Sequence, residues 1–128
     1  MIAVSTETAP GSLVVKLTCG AEAPERANQA WTVAAAGVAA GVAVTVWLTG
    51  DGVWFAVAGQ QPDLQLPFAT SVADLVETVR SAGKIVVCTQ CAARRELTES
   101  SLLPGVTIAG AASFVEAVLA ADARALVY

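Results

Sequence analysis

Two of the three cysteines stand close together in "KIVVCTQCAARREL", at Cys88 and Cys91, and Arg94 and Arg95 follow them. The nucleophilic form of cysteine is the thiolate, which is favoured where unpaired backbone N–H groups and positive charge surround the sulfur. "KIVVC" reads as an apolar strand and "CAARRELTES" as a helix. Cys88 therefore falls at a strand-to-helix junction, where free N–H groups and the helix dipole lower a thiol pKa. Along one helix, Arg94 and Arg95 lie three and four residues from Cys91 but six and seven from Cys88. At about 1.5 Å of rise per residue they reach Cys91 more easily. Arg95 also stands four residues before Glu99, the spacing of a helical ion pair. The chemistry open to such a pair is that of a reactive thiol, with Cys88 as the reactive member and Cys91 as a second or resolving one. The plain alternative is that both thiols are small core residues, since free cysteine is commonly buried.

Composition removes most other chemistries. The chain has no histidine, so Ser-His-Asp and Cys-His catalysis are excluded, as are zinc sites that need His. Three thiols alone make a poor structural zinc site, and no metal or other cofactor is expected. "TGDG", Thr49 to Gly52, fits neither the Walker pattern nor G-x-G-x-x-G. A net charge of −4 with no basic cluster argues against nucleic acid and anionic membrane surfaces as partners. The opening "MIAVSTETAPGS" lacks the basic start and apolar run of a secretion signal. The uncharged run Ala30 to Gly50 approaches the length of a bilayer span, but it is rich in Ala and Gly and breaks at Gly41. Free thiols in a leaderless chain point to the cytoplasm.

The elements that must hold these residues alternate along the chain. Residues 1–12 read as a flexible tail and residues 13–128 as a single domain. "SLVVKLTC" reads as a short strand that ends near Cys19. A helix is expected from Pro24 to a stop at Gly41, and "VAVTVWL" is then a strand buried on both faces. "TGDG" is expected to turn, with Asp51 as a turn or cap residue, and "VWFAVAG" to form a short helix. Ser71 caps the next helix, which Gly83 ends, and "VTIAG" is a strand. Ser113 to Glu116 reads as a capping box for a helix reaching about Asp122, and "RALVY" as the last strand. This alternation predicts a three-layer α/β/α sandwich with a five-stranded, mostly parallel sheet. In such folds reactive groups gather beyond the carboxyl ends of the strands, which makes Cys19 and Asp51 expected neighbours of Cys88. Trp31, Trp47 and Trp54 are assigned to the core or to subunit contacts. An apolar fraction of 55% with only 14% charged residues favours an oligomer that buries further surface.

The run "VVCTQCAARREL", with "LTGDGVWFAVAG" before it and "LLPGVTIAGAASFVEAVL" after it, resembles the DsrE/DsrF-like family. That family includes sulfur-relay subunits and small proteins labelled predicted peroxiredoxins. The resemblance implies a homotrimer or homohexamer, with sulfur donor and acceptor proteins as further partners. It implies that Cys88 carries sulfur as a persulfide and that Arg94 and Arg95 match the family's basic pair. Glu96 stands where the family usually has Gly, and Cys91 is a thiol that only some members have. Three functions therefore stand side by side. The first is a sulfur carrier or sulfurtransferase using Cys88. The second is a thiol–disulfide or peroxide-responsive redox protein using Cys88 and Cys91. The third is a non-enzymatic oligomeric binding module.

Overall fold

The structure, a computed structural model, describes residues 11–128. Five strands form one sheet: β1 (Ser12–Leu17), β2 (Ala43–Leu48), β3 (Lys84–Cys88), β4 (Thr107–Ala109) and β5 (Ala123–Val127). Their order is β4-β3-β2-β1-β5, and every pairing is parallel. The α-helices among the described residues are α1 (Pro24–Ala39), α2 (Val72–Ala82), α3 (Thr89–Arg94) and α4 (Ala111–Leu119), with 3-10 helices at Gly50–Ala56 and Glu99–Ser101. The expected α/β sandwich is present, and its sheet is wholly parallel. Of the expected tail, residues 1–10 lie outside the described residues, and Ser12 already opens β1.

The distribution of helices follows from the direction of each crossover. From β1 to β4 the chain steps one strand at a time toward the same edge, and α1, α2 and α3 bury their apolar sides against one face. From β4 it crosses back over three strands to β5. A right-handed crossover in the reverse direction puts its helix on the opposite face, and α4 is found there. The first face holds the main core, with Val15, Leu17, Val46, Leu48, Ile85 and Val87 from the sheet and Trp31, Phe55 and Val79 from above it. The second face holds only a small cluster of Val14, Trp47 and Val86, packed against Phe114, Ala117 and Val118. Trp31 and Phe55 meet edge to face at 5.9 Å, and Trp47 and Phe114 do so at 5.4 Å.

Most local signals match the elements found. Pro24 sits in the first turn of α1, and Gly41 ends it with φ +82°. The Gly41 N–H reaches Val38 O and the Val42 N–H reaches Gly37 O, the paired bonds of a Schellman stop. This stop divides the uncharged run Ala30 to Gly50 between α1 and β2, and no helix of the described residues is long and apolar enough to cross a membrane. Ser71 caps α2 by accepting the Asp74 N–H at 3.3 Å.

Four local expectations are corrected. "TGDG" does not form a turn ahead of a helix; the 3-10 helix begins within it at Gly50. Ser113 is not a cap, because Gly110 directly after β4 is the N-cap and Ser113 lies inside α4. That helix ends at Leu119, and Asp122 takes the left-handed conformation, φ +62°, which no α-helix accommodates. The helix expected over "CAARRELTES" ends at Arg94. Its stop is again a Schellman pair, Glu96 N–H to Ala93 O and Leu97 N–H to Ala92 O, with Glu96 at φ +56°.

Glu96 thus occupies the left-handed position that glycine takes freely, and the turn persists without the glycine. An L-residue there costs about 1–2 kcal/mol, of which the extra unfolded-state freedom of glycine returns about half. Glu96→Gly is expected to raise stability by about 0.5–1 kcal/mol, read from the denaturant midpoint at constant slope. A lower midpoint would mean that the Glu96 side chain contributes more than the strain removes.

Candidate functional site

The carboxyl ends of β1, β2, β3 and β4 open onto one cavity of about 340 Å³. Lys16, Trp47, Cys88 and Ala109 line it from the strands, and Phe114 closes it from α4. Thr49, Thr89, Gln90, Gly110 and Ala111 form the rim between them. The cavity exists because α4 is short and covers only part of its face. Cys88, at the end of β3, packs against the rim of the main core and also lines the cavity.

Cys88 is the N-cap residue of α3, with extended backbone at φ −62° and ψ +130°. Partial burial pushes its thiol pKa up, but the Cys91 backbone N–H and thiol, the Gln90 N–H and the Arg94 charge outweigh that and hold it below its ordinary value. A helix of six residues has little macrodipole, so these local donors carry the effect. Their sum leaves Cys88 half-buried, open to the cavity and biased toward the thiolate.

The other two thiols are enclosed. Cys91 is buried in the main core, and its sulfur accepts the Gly50 N–H at 3.2 Å. Gly50 can deliver that N–H because it takes φ +54°, a conformation other residues adopt at a cost. Cys19 lies two residues beyond the end of β1 and faces α1, with its thiol 3.9 Å from Ala23 O. Burial and the Glu22 charge raise its pKa above the ordinary value, although Arg26 opposes them. Cys19 shares the sheet edge with Cys88 and not its cavity.

The two arginines have separate roles. Arg94 is exposed and acts on Cys88 through its charge. Arg95 turns away from the thiol: its Nε and Nη2 donate to Asp51 Oδ1 at 3.2 and 2.9 Å, and its Nη1 donates to Cys91 O at 3.1 Å. The pairing of Arg95 with Glu99 that helical spacing suggests is absent, because α3 ends before Glu99 and that carboxylate accepts the Ile108 N–H instead. Asp51 thus ties the Gly50–Ala56 helix to the end of α3, directly over Cys91.

Sequence reasoning missed the cavity walls. Lys16 was one residue of an apolar strand, and its lone charge in "SLVVKL" was the available signal. Phe114 was assigned only to a helix, and Trp47, buried at 5% exposure, is both core and cavity wall. Period two in β1 and β2 sends Lys16 and Trp47 to one face, and the parallel register sets them side by side.

The fold and site together define a wholly parallel, doubly wound α/β protein with one open thiol at the end of its third strand. The DsrE/DsrF-like family model matches residues 12–124, and the chain belongs to that family. The fold is similar to that of the YchN protein of E. coli, with a TM-score of 0.75 and 18% identity over 92% of this chain and 99% of that one. It is also similar to MTH1491 of Methanobacterium thermoautotrophicum, a protein of unknown function, with a TM-score of 0.61 and 10% identity over 92% and 98% of the two chains. No curated protein matches the sequence.

Proposed function

We propose that this protein is a sulfur carrier that holds a persulfide on Cys88. The observation that carries this reading is that Cys88, alone of the three thiols, is open to a cavity, where local N–H donors and the Arg94 charge also lower its pKa. Its thiolate attacks the outer sulfur of a donor RS–SH; the donor S–S bond breaks as the Cys88 S–S bond forms, and RS⁻ leaves. An acceptor thiolate on a partner protein then takes the outer sulfur, and Cys88 returns to the thiolate. Neither step changes the overall oxidation state. The test is the intact mass of the native protein after anaerobic incubation with a persulfide donor, where a gain of about one sulfur mass is expected. An unchanged mass sinks the reading.

A second reading has its own observation. The Cys91 thiol helps to lower the Cys88 pKa, which supports a reading in which the two form a disulfide. Against this stands the burial of Cys91 beneath Gly50, which leaves its sulfur no route to a third thiol.

The carrier assembles with copies of itself in this reading, as a homotrimer or homohexamer. Support comes from the second face of the sheet, where Val115, Leu119 and Val127 are 48, 77 and 64% exposed beside a single short helix. An apolar edge of this kind is ordinarily buried in assemblies. Sedimentation equilibrium is expected to return three or six times the 12.9 kDa chain mass. A monomer at micromolar concentration would exclude assembly.

A further inference from the structure

Sulfur transfer as such needs no cation in the cavity, yet Lys16 is there. Its ammonium lies 4.9 Å from the centre of the Phe114 ring, and among the described residues it forms no ion pair. Lys16 is half-buried, and the aromatic face of Phe114 leaves its ammonium free to pair with an anion that enters the cavity. No Asp or Glu lines the cavity, although the chain as a whole is acidic. Beyond the uncharged rim of Thr49, Thr89 and Gln90, the walls are Trp47, Phe114, Ala109, Gly110 and Ala111, a mostly apolar surface that suits a carbon body better than a bare inorganic ion. The volume, about 340 Å³, falls at the small end of ligand pockets, which run from roughly 300 to 1,000 Å³. It admits a small molecule and is far too small for a folded domain.

We propose that the cavity receives a low-molecular-weight organic persulfide bearing a carboxylate, with Lys16 pairing the carboxylate while its outer sulfur meets Cys88 Sγ. This rests on the sulfur-carrier reading and names the donor class for it. The Cys88 thiolate attacks the outer sulfur of ⁻OOC–R–S–SH, the donor S–S bond breaks, and ⁻OOC–R–S⁻ leaves. The proton stays on the transferred sulfur. Lys16 serves as the specificity determinant, since it recognises the part of the donor that does not react.

The test compares two donors of similar size, the persulfides of 3-mercaptopropionate and of 2-mercaptoethanol, by the rate of sulfur gain on Cys88. Wild type is expected to favour the carboxylate donor. Lys16→Met, which keeps the alkyl stem, is expected to slow that donor about tenfold and leave the neutral donor within about twofold, in line with the loss of one charge-assisted contact. Lys16→Arg is expected to retain the preference. A cation that only packs on Phe114 would alter stability and slow both donors alike, which overturns the inference. An independent readout is the alkylation of Cys88 by iodoacetate relative to iodoacetamide, where the same Lys16-dependent preference for the anion is expected. Loading from both donors at Lys16-independent rates sinks the donor class and leaves the carrier intact. A protein that takes sulfur from no donor at all sinks both.

Discussion

Cys88→Ser is expected to abolish sulfur loading completely while leaving the unfolding transition unchanged. The loss is total because serine supplies no sulfur nucleophile and neither of the other thiols can substitute. Cys91 is buried under the Gly50 N–H, and Cys19 faces α1 with its pKa raised by burial. The fold is insensitive because Cys88 is half-buried at a strand end and makes no ladder contact through its side chain. Intact mass after anaerobic persulfide treatment reads the first effect, and a denaturant titration the second. Loading of the mutant to the wild-type level would remove Cys88 from the mechanism. Cys91→Ser, run beside it, separates the two thiol chemistries. A longer-lived persulfide in that variant would show that Cys91 discharges the carrier, by attacking Cys88 and releasing sulfide. Under mild oxidant, loss of about two protons by wild type alone would favour the redox reading.

Trp31→Ala is expected to cost about 3–5 kcal/mol, among the largest effects of any single truncation here, measured by denaturant unfolding. Trp31 is fully buried, and it carries α1 onto Phe55 of the 3-10 helix that follows β2. Removing it leaves a void beneath the segment that delivers the Gly50 N–H to Cys91. Alkylation of Cys91 in the native protein is therefore expected to become detectable alongside the loss of stability. Trp31→Phe separates the contributions. The indole Nε1 is buried with no hydrogen-bond partner, and an unmet donor costs about 1–3 kcal/mol. Deleting that N–H together with part of the ring is expected to cost less than about 2 kcal/mol. A Phe variant as unstable as the Ala variant would mean that the indole N–H is satisfied in solution.

Much of this architecture was legible in the chain. Short, Val-rich continuous apolar runs such as "VAVTVWL" fit strands covered on both faces, and their alternation with helical segments points to a parallel sheet. Pro24, Gly41 and Ser71 mark helix ends because each acts through its own backbone or side chain, which needs no distant partner. The position of Cys88 was legible for the same reason. Cys88 follows an apolar strand and precedes a helix, and both the exposed junction and its N–H donors are local consequences of that position.

What lay beyond the sequence depends on residues far apart in the chain. Where α3 stops is set by a left-handed turn at Glu96, which spacing cannot show when the residue is not glycine. That early stop freed Arg95 to reach back 44 residues to Asp51, where sequence offered only Glu99. The division between the two thiols of the C-x-x-C pair belongs here as well, since Gly50, which encloses Cys91, comes from another loop. The cavity is the furthest from sequence. Lys16, Trp47, Cys88 and Phe114 come from three strands and the helix of the reversed crossover. The sheet, its helices and the cysteine at their junction follow from local backbone chemistry and apolar periodicity, which are written residue by residue. Which thiol is open and what lines its cavity follow from strand order and crossover direction, which choose the distant side chains that meet.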